Sequence, residues 1–512
     1  MKTLLPATLL LFAAIAPAAA AEAIGAGHEY DNIRLDAAPH SDASELAAAL
    51  RVDPARTVRS YDAAMFGLSY DFTFHDRLGM AEAVPGEPLP RLLPDFPRVA
   101  KDVPLPFNRL WIVRDNWKWS IGPVAERRKH KRVPWEAPTL QIAGPVETVR
   151  NILAVDPAAK FNMMVTVKDD EAVAQARQIA EFFTGDASTE WGRKRIEYGL
   201  AEPVDVALWE LGNETDWSNP RLPVAEYVRL CKATIAAIRG VDPRAKFAPH
   251  AATAPWHETQ KAHWKEWHRT LLKELAPDIS SFAFHPYYHG YPVSLIEGYM
   301  KQIGEDIAAS ANPKITIFVS EHGLWPGGEP GEWKNSWYKT HALVGCLAVS
   351  EWFNRMLAHP EVSAMTMHAA SSGPWGMFYP DPNGGKVYAT ALADLFKLYK
   401  LIPWGGKVVT AELTGEGTAF DGKLSLSAVA VEGNDGKLRV VITNRLPETA
   451  RKISLDLGGR RVKHVYTLTA DSVKEVNTAA DRPVGISYRP GTKQDSRSFR
   501  APSRSITLLV AE

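Results

Sequence analysis

Two acidic side chains, Glu214 and Glu321, carry the chemistry this chain can offer. Glu210 and Glu214 lie in LWELGNETDW (208–217), with Asn213 just ahead of the second, and Glu321 closes the apolar run ITIFVSE (315–321). Successive side chains on a strand point to opposite faces, so Glu210 and Glu214 share a side but differ in depth. Glu210 is expected deep and Glu214 at the mouth, where the strand gives way to a loop. A lone glutamate at a strand end is most often a helix cap or a surface charge. Two of them facing each other across a gap are what cleavage of a glycosidic bond requires. One donates a proton to the leaving oxygen while the other, ionised, attacks the anomeric carbon.

Such a pair has to be positioned by two different strand ends. From about Met65 to Lys400 short apolar runs alternate with longer amphipathic ones. The runs read as strands are AAMFGLSYDF, NRLWIVRD, FNMMVTV, DVALWELG, KFAPHA, ISSFAFHPY, ITIFVSE and SAMTMHAA. Helical patterns such as EAVAQARQIAEFF, VAEYVRLCKATIAAIRG and KTHALVGCLAVSEWFNRML fall between them. Eight strands with helical crossovers predict an α/β fold, a (β/α)8 TIM barrel over residues 61–400, whose chemistry gathers at the C-terminal strand ends. A doubly wound open sheet would carry a Gly-rich turn after its first strand, and FGLSYDFTFHD has none. Beyond Leu401 the runs become short, β-rich and turn-punctuated, which predicts a C-terminal antiparallel β-sandwich over 401–512. Residues 22–60, including HEYDNIRLDAA, are expected to contribute a strand to it.

Lys plus Arg equals Asp plus Glu at 59 each, so no overall field recruits nucleic acid or an anionic membrane. The basic stretch ERRKHKR (126–132) reads as a solvated loop. Residues 1–21 have the layout of a secretory signal, one Lys ahead of an apolar run closed by small Ala residues, so a secreted or periplasmic protein with no later membrane span is expected. Cys231 and Cys346 sit in apolar helical patterns and read as buried free thiols. His285, in HPYYHG, and His322 match no common zinc spacing, so neither a metal nor any other cofactor is expected.

WELGNETDW, SFAFHPYY and IFVSEHG together resemble clan A of the glycoside hydrolases, and within it the chain is most similar to the family 51 α-L-arabinofuranosidases. NWKWSIGPVAERR, EYVRLCKATIAAIRGVDPRAKF, HALVGCLAVSEWFNRMLAHPEVSAMTMH and APSRSITLLV extend the resemblance over most of the chain from about residue 64. It implies Glu214 as acid/base, Glu321 as nucleophile, and Asn213 as a hydrogen-bond partner of the hydroxyl next to the anomeric carbon. His285 and Tyr287 match the family's His-x-Tyr, with Tyr287 expected beside Glu321. Asp71 stands where the family has a substrate-binding Glu, and Asn116 and Trp117 where it has a Pro-Gly-Gly turn. Ser320-Glu321-His322 replaces its Asp-Glu-Trp. Trp325 and Trp375, with Trp217, Trp256, Tyr288 and Tyr291, fall where a sugar platform would be built. Trp264 and Trp267 read instead as helix packing.

The implied activity is retaining hydrolysis of terminal α-L-arabinofuranosyl residues from oligo- or polysaccharides, with the two carboxyls about 5–5.5 Å apart. Other clan A glycosides, namely a β-xyloside, a β-glucuronide or an internal glucan bond, remain open at this stage, as does a non-catalytic carbohydrate-binding barrel. Homo-oligomerisation is also left open.

Overall fold

The computed structural model describes residues 48–70, 78–112, 117–130, 139–217, 221–253, 264–288, 293–326, 333–371, 373–381, 386–415 and 425–512. The signal-like segment, HEYDNIRLDAA, Asp71, Asn116, Trp256 and Tyr291 lie outside them.

Each of the eight expected runs forms a strand. In chain order they are Gly67–Tyr70, Phe107–Ile112, Lys160–Val165, Val206–Leu211, Phe247–Pro249, Ser281–Phe284, Thr316–His322 and Val362–His368. Neighbours pair in parallel, and the eighth returns to the first. A parallel bridge between His250 and Ala283 joins the fifth and sixth, so the sheet closes into a barrel. Crossover helices follow the periodicity of the sequence. Asp170–Thr184 starts at Asp169, whose side chain accepts from the Ala172 N–H at 2.8 Å, and buries Ala172, Ala176, Ile179, Ala180 and Phe183 along one stripe.

The barrel interior is layered by the two-residue repeat of its strands. Phe107, Leu208, Ala248, Ala283, Phe318 and Ala364 form an apolar floor. Phe107 and Phe318 meet edge-to-face at 5.7 Å, and the alanines leave room for them. Two residues further along four of these strands stand Arg109, Glu210, His250 and His285, all buried. The floor thus supports a polar layer, and the alternation that builds the core also aims these groups inward.

The C-terminal part is one curled, nine-stranded sheet rather than two separate sheets. Its order is Gly485–Pro490, Val462–Thr469, Ser505–Ala511, Leu438–Asn444, Leu426–Glu432, Lys407–Gly415, Ala48–Ser60, Arg451–Asp456 and Ser498–Ala501. Pairing is antiparallel except between Ala48–Ser60 and Arg451–Asp456. The expected β domain takes this continuous form because the early strand inserts between Lys407–Gly415 and Arg451–Asp456. Alternate residues serve two cores. Leu438, Val440 and Ile442 face inside the curl, while Val441, Ile506 and Leu508 join the core shared with the barrel. Helix Leu343–Met356 lies at that junction. Its Ser350 bonds Thr443 at 2.6 Å, its Asn354 bonds Ser427 and Thr443 at 3.1 Å each, and its Glu351 pairs with Arg445.

Two further expectations change. Arg127, within the basic stretch, is buried and holds Glu147 at 2.8 Å, and Glu147 in turn accepts from the Gly144 N–H at the start of helix Pro145–Val155. Trp117 is also wholly buried, against Trp191 (4.8 Å) and Phe182, with its indole N–H on Gln175 at 2.8 Å. It fills core behind the second barrel strand instead of lining a rim.

Candidate active site

The fourth barrel strand ends in a turn that reverses its last side chain. Gly212 adopts φ +81° and Glu214 φ +50°. A Cβ at Gly212 would meet the Thr215 hydroxyl at 2.8 Å, so only glycine fits. Glu214, a non-glycine residue in left-handed backbone, is held there by the Trp217 N–H donating to its carbonyl at 3.0 Å. Asp216, braced by the Thr253 N–H (2.9 Å) and hydroxyl (2.6 Å), pins the loop to the fifth strand end; burial pushes its carboxyl up to about 6.

Glu321 reaches the same space from the seventh strand by a different device. Phe318 is the floor residue there, so strict alternation would send Ser320 inward and Glu321 outward. A register shift between Val319 and His322 against the eighth strand brings Glu321 inside. Its Oε1 accepts from Arg109 Nη1 at 2.7 Å and its Oε2 from the Tyr287 hydroxyl at 2.8 Å. Burial alone would raise its proton affinity. The charges of His285 and Arg109, with the Tyr287 hydroxyl, outweigh that and hold it well below the usual carboxylate range. His368 lies 3.9 Å away, but burial pushes it down to about 4, so it stands neutral at neutral pH.

Between the two glutamates sits His285. Its Nδ1 is 3.0 Å from Glu214 Oε1 and 3.7 Å from Glu321 Oε2, and one ligating-type atom from each of the three lies within 4.8 Å of the others. Burial works against an imidazolium, yet Glu321, Glu210 and Glu214 push the ring up to about 9. The trio is a hydrogen-bonded cluster in which the imidazole bridges the two carboxylates.

Below lies Arg109, which composition and spacing did not single out. Its Nε and Nη2 clasp Glu210 at 2.6 and 2.9 Å, and Nη2 also donates to Asn213 Oδ1 at 2.9 Å. Both Arg109 and Glu210 are completely buried. Burial disfavours the charge on Glu210, and the guanidinium overrides it to hold the carboxyl below its ordinary value. The one available signal for Arg109 was an arginine inside the otherwise uncharged run FNRLWI, a charge that must find an anion if the run is a barrel strand.

Glu214, Glu321, Asn213, His285 and Tyr287 are therefore brought together. Tyr287 continues into an aromatic wall, with Trp325 at 5.6 Å and Trp375 at 5.5 Å. Trp325 is partly exposed; Trp375 is buried and anchored by its indole N–H on the Leu324 carbonyl at 2.8 Å. Tyr288 is corrected from the platform to the core, stacked on Trp352 at 5.2 Å. Trp267 stacks on Tyr227 at 5.2 Å, as helix packing requires.

Residues 112–276 match the family model for the α-L-arabinofuranosidase 1 domain. An exo-α-(1→6)-L-arabinofuranosidase of Bifidobacterium longum is 22% identical over 413 residues, 72% of this chain and 76% of that protein. An intracellular exo-α-(1→5)-L-arabinofuranosidase of Streptomyces lividans is 28% identical over 174 residues, 34% of this chain and 26% of its own length. Among solved structures, the family 51 arabinofuranosidase of Xanthomonas axonopodis pv. citri superposes with a TM-score of 0.77 at 17% identity, covering 91% of this chain and 100% of that one. About a third of the chain thus matches an α-L-arabinofuranosidase domain, and its barrel-plus-sheet architecture is the fold of that solved family 51 arabinofuranosidase.

Proposed function

We propose that the protein is a retaining α-L-arabinofuranosidase that removes terminal arabinofuranosyl residues from oligo- or polysaccharides by double displacement. The observation that carries the reading is the approach of Glu214 and Glu321, whose nearest oxygens lie within 4.8 Å. A retaining pair is set about 5–5.5 Å apart, whereas an inverting pair leaves roughly 6.5–9.5 Å for a water. Glu321, held ionised by Arg109 and Tyr287, attacks the anomeric carbon while Glu214 protonates the departing oxygen. The sugar is then ester-linked to Glu321, and Glu214 removes a proton from the water that releases it. Asn213 stands beside Glu214, where it meets the hydroxyl next to the anomeric carbon. Trp325 offers an apolar face to the sugar.

Glu321→Ala and Glu214→Ala separate the two roles on p-nitrophenyl α-L-arabinofuranoside. Glu321→Ala is expected to abolish turnover. Glu214→Ala should retain the first step on this activated leaving group, stall at the glycosyl-enzyme, and recover with azide as an α-arabinofuranosyl azide. Undiminished activity in Glu321→Ala overturns the reading, and an azide product of β configuration from Glu214→Ala overturns retention.

Export is proposed on the signal-like composition of residues 1–21. N-terminal sequencing of the mature protein from the periplasm or medium, starting near Ala21, tests it; an uncleaved cytoplasmic product refutes it.

A further inference from the structure

We propose that Glu210, a third carboxylate buried beneath the catalytic pair, is a positioning residue that fixes Arg109 and keeps His285 a hydrogen-bond donor to Glu214. The inference rests on the assignment of Glu214 and Glu321 above, and it concerns a side chain with no route to the sugar.

Glu210 is completely buried on the fourth strand, one layer below the turn that carries Glu214. Its Oε2 and Oε1 take Arg109 Nε and Nη2 at 2.6 and 2.9 Å. A guanidinium is planar, so a carboxylate clasping one edge fixes the direction of every remaining N–H. Those directions are the working ones: Nη1 to Glu321 at 2.7 Å and Nη2 to Asn213 at 2.9 Å. Without the clasp Arg109 could rotate, and nucleophile and Asn213 would lose a shared reference.

The second task is electrostatic. Among the described residues His285 Nε2 has no hydrogen-bonded acceptor, and Glu210 Oε1 at 3.6 Å is the anion beside it. The buried box contains the cations Arg109 and His285 and the anions Glu210 and Glu321, so charge balances only while Glu210 is present. Neutralising Glu210 leaves a surplus positive charge in a dry site, and His285 is the cation that can shed it. A neutral ring is then free to present a lone pair at Nδ1. As an imidazolium it must donate from Nδ1 to Glu214 Oε1, 3.0 Å away. That donation assigns the transferable proton of Glu214 to its other oxygen, Oε2.

Glu210→Gln removes the charge and keeps the shape; Glu210→Asp keeps the charge and shortens the reach. The imidazole ¹⁵N shifts of His285, assigned by comparison with His285→Gln, read its state at pH 7.5. The expected result is a cationic ring in the wild type and in Glu210→Asp, and a neutral one in Glu210→Gln. With p-nitrophenyl α-L-arabinofuranoside, Glu210→Gln should lose about 10- to 100-fold in kcat with KM within about threefold, and the alkaline limb of its pH profile should move down by about one unit or more. Glu210→Asp should lose kcat with the limb unmoved. A His285 that stays cationic in Glu210→Gln with an unmoved limb overturns the inference. Failure of both variants to fold also overturns it, making Glu210 a folding residue alone. A wild type inert toward arabinofuranosides would instead sink the proposed function, and the His285 shifts would still report on Glu210.

Discussion

Replacing Arg109 by Met tests the electrostatic core directly. Met fills much of the same space but takes away the only guanidinium touching Glu210, Glu321 and Asn213 among the described residues. Removing one partner of a buried ion pair costs about 3–5 kcal/mol, because the remaining charge is left in a dry site. Here two carboxylates lose their cation, so the penalty at pH 7.5 should reach at least that range. The sign of its pH dependence follows from linkage. In the wild type, Glu210 and Glu321 are held below their ordinary values, so their contribution is present above pH about 4.5 and is lost only as pH falls through the depressed folded values. In the variant, burial without Arg109 raises them, so the folded state takes up a proton before the unfolded state does. The variant's deficit should therefore shrink by about 1.4 kcal/mol per pH unit for each carboxylate protonated as pH falls from 7.5 toward 5. Urea denaturation of both proteins at the two pH values, followed by tryptophan fluorescence, measures the difference at each. A deficit below about 1 kcal/mol, or one equal at both pH values, refutes the account of Arg109 as the counter-charge of the site.

Tyr287→Phe deletes the 2.8 Å hydroxyl contact to Glu321 and leaves the ring against Trp325. A hydrogen bond to a charged group is worth about 1.5–3 kcal/mol, so kcat/KM should fall roughly 10- to 100-fold with little change in the thermal midpoint. Acid sensitivity should come chiefly from buried neutral histidines. Burial pushes His250 and His322 down to about 3 and His341 and His368 to about 4. The unfolded rings charge near pH 6.5 and the folded ones do not, so stability should fall below that pH by about 1.4 kcal/mol per unit for each ring, and His322→Phe should flatten the slope measured by calorimetry between pH 6 and 4.5.

The eight barrel runs were legible because each is a short apolar stretch that closes a helical crossover, and burial on both faces leaves little ambiguity in such a pattern. Asn213 and Glu214 were legible because Gly212 marks where the fourth strand must turn. Trp117 was not. A tryptophan in a loop-like stretch has the same composition whether it faces sugar or core, and only the Trp191 and Phe182 rings decide. The curled sheet was half legible: its strands follow from β-rich runs and turns, but sequence alone does not reveal which strands are neighbours, and the parallel insertion of Ala48–Ser60 depends on partners some four hundred residues away.

Local pattern alone determined the strand ends, the inward parity of Glu210 and the candidate pair of carboxylates, since side-chain alternation and turn chemistry act over a few residues. Tertiary structure decided what surrounds those carboxylates. The register shift after Val319 turns Glu321 inward against the strict two-residue repeat. Arg109 and His285, brought in from the second and sixth strands, then set the charges around it. Charge in a buried site depends on every neighbour within a few ångströms, and closure of the barrel chooses those neighbours.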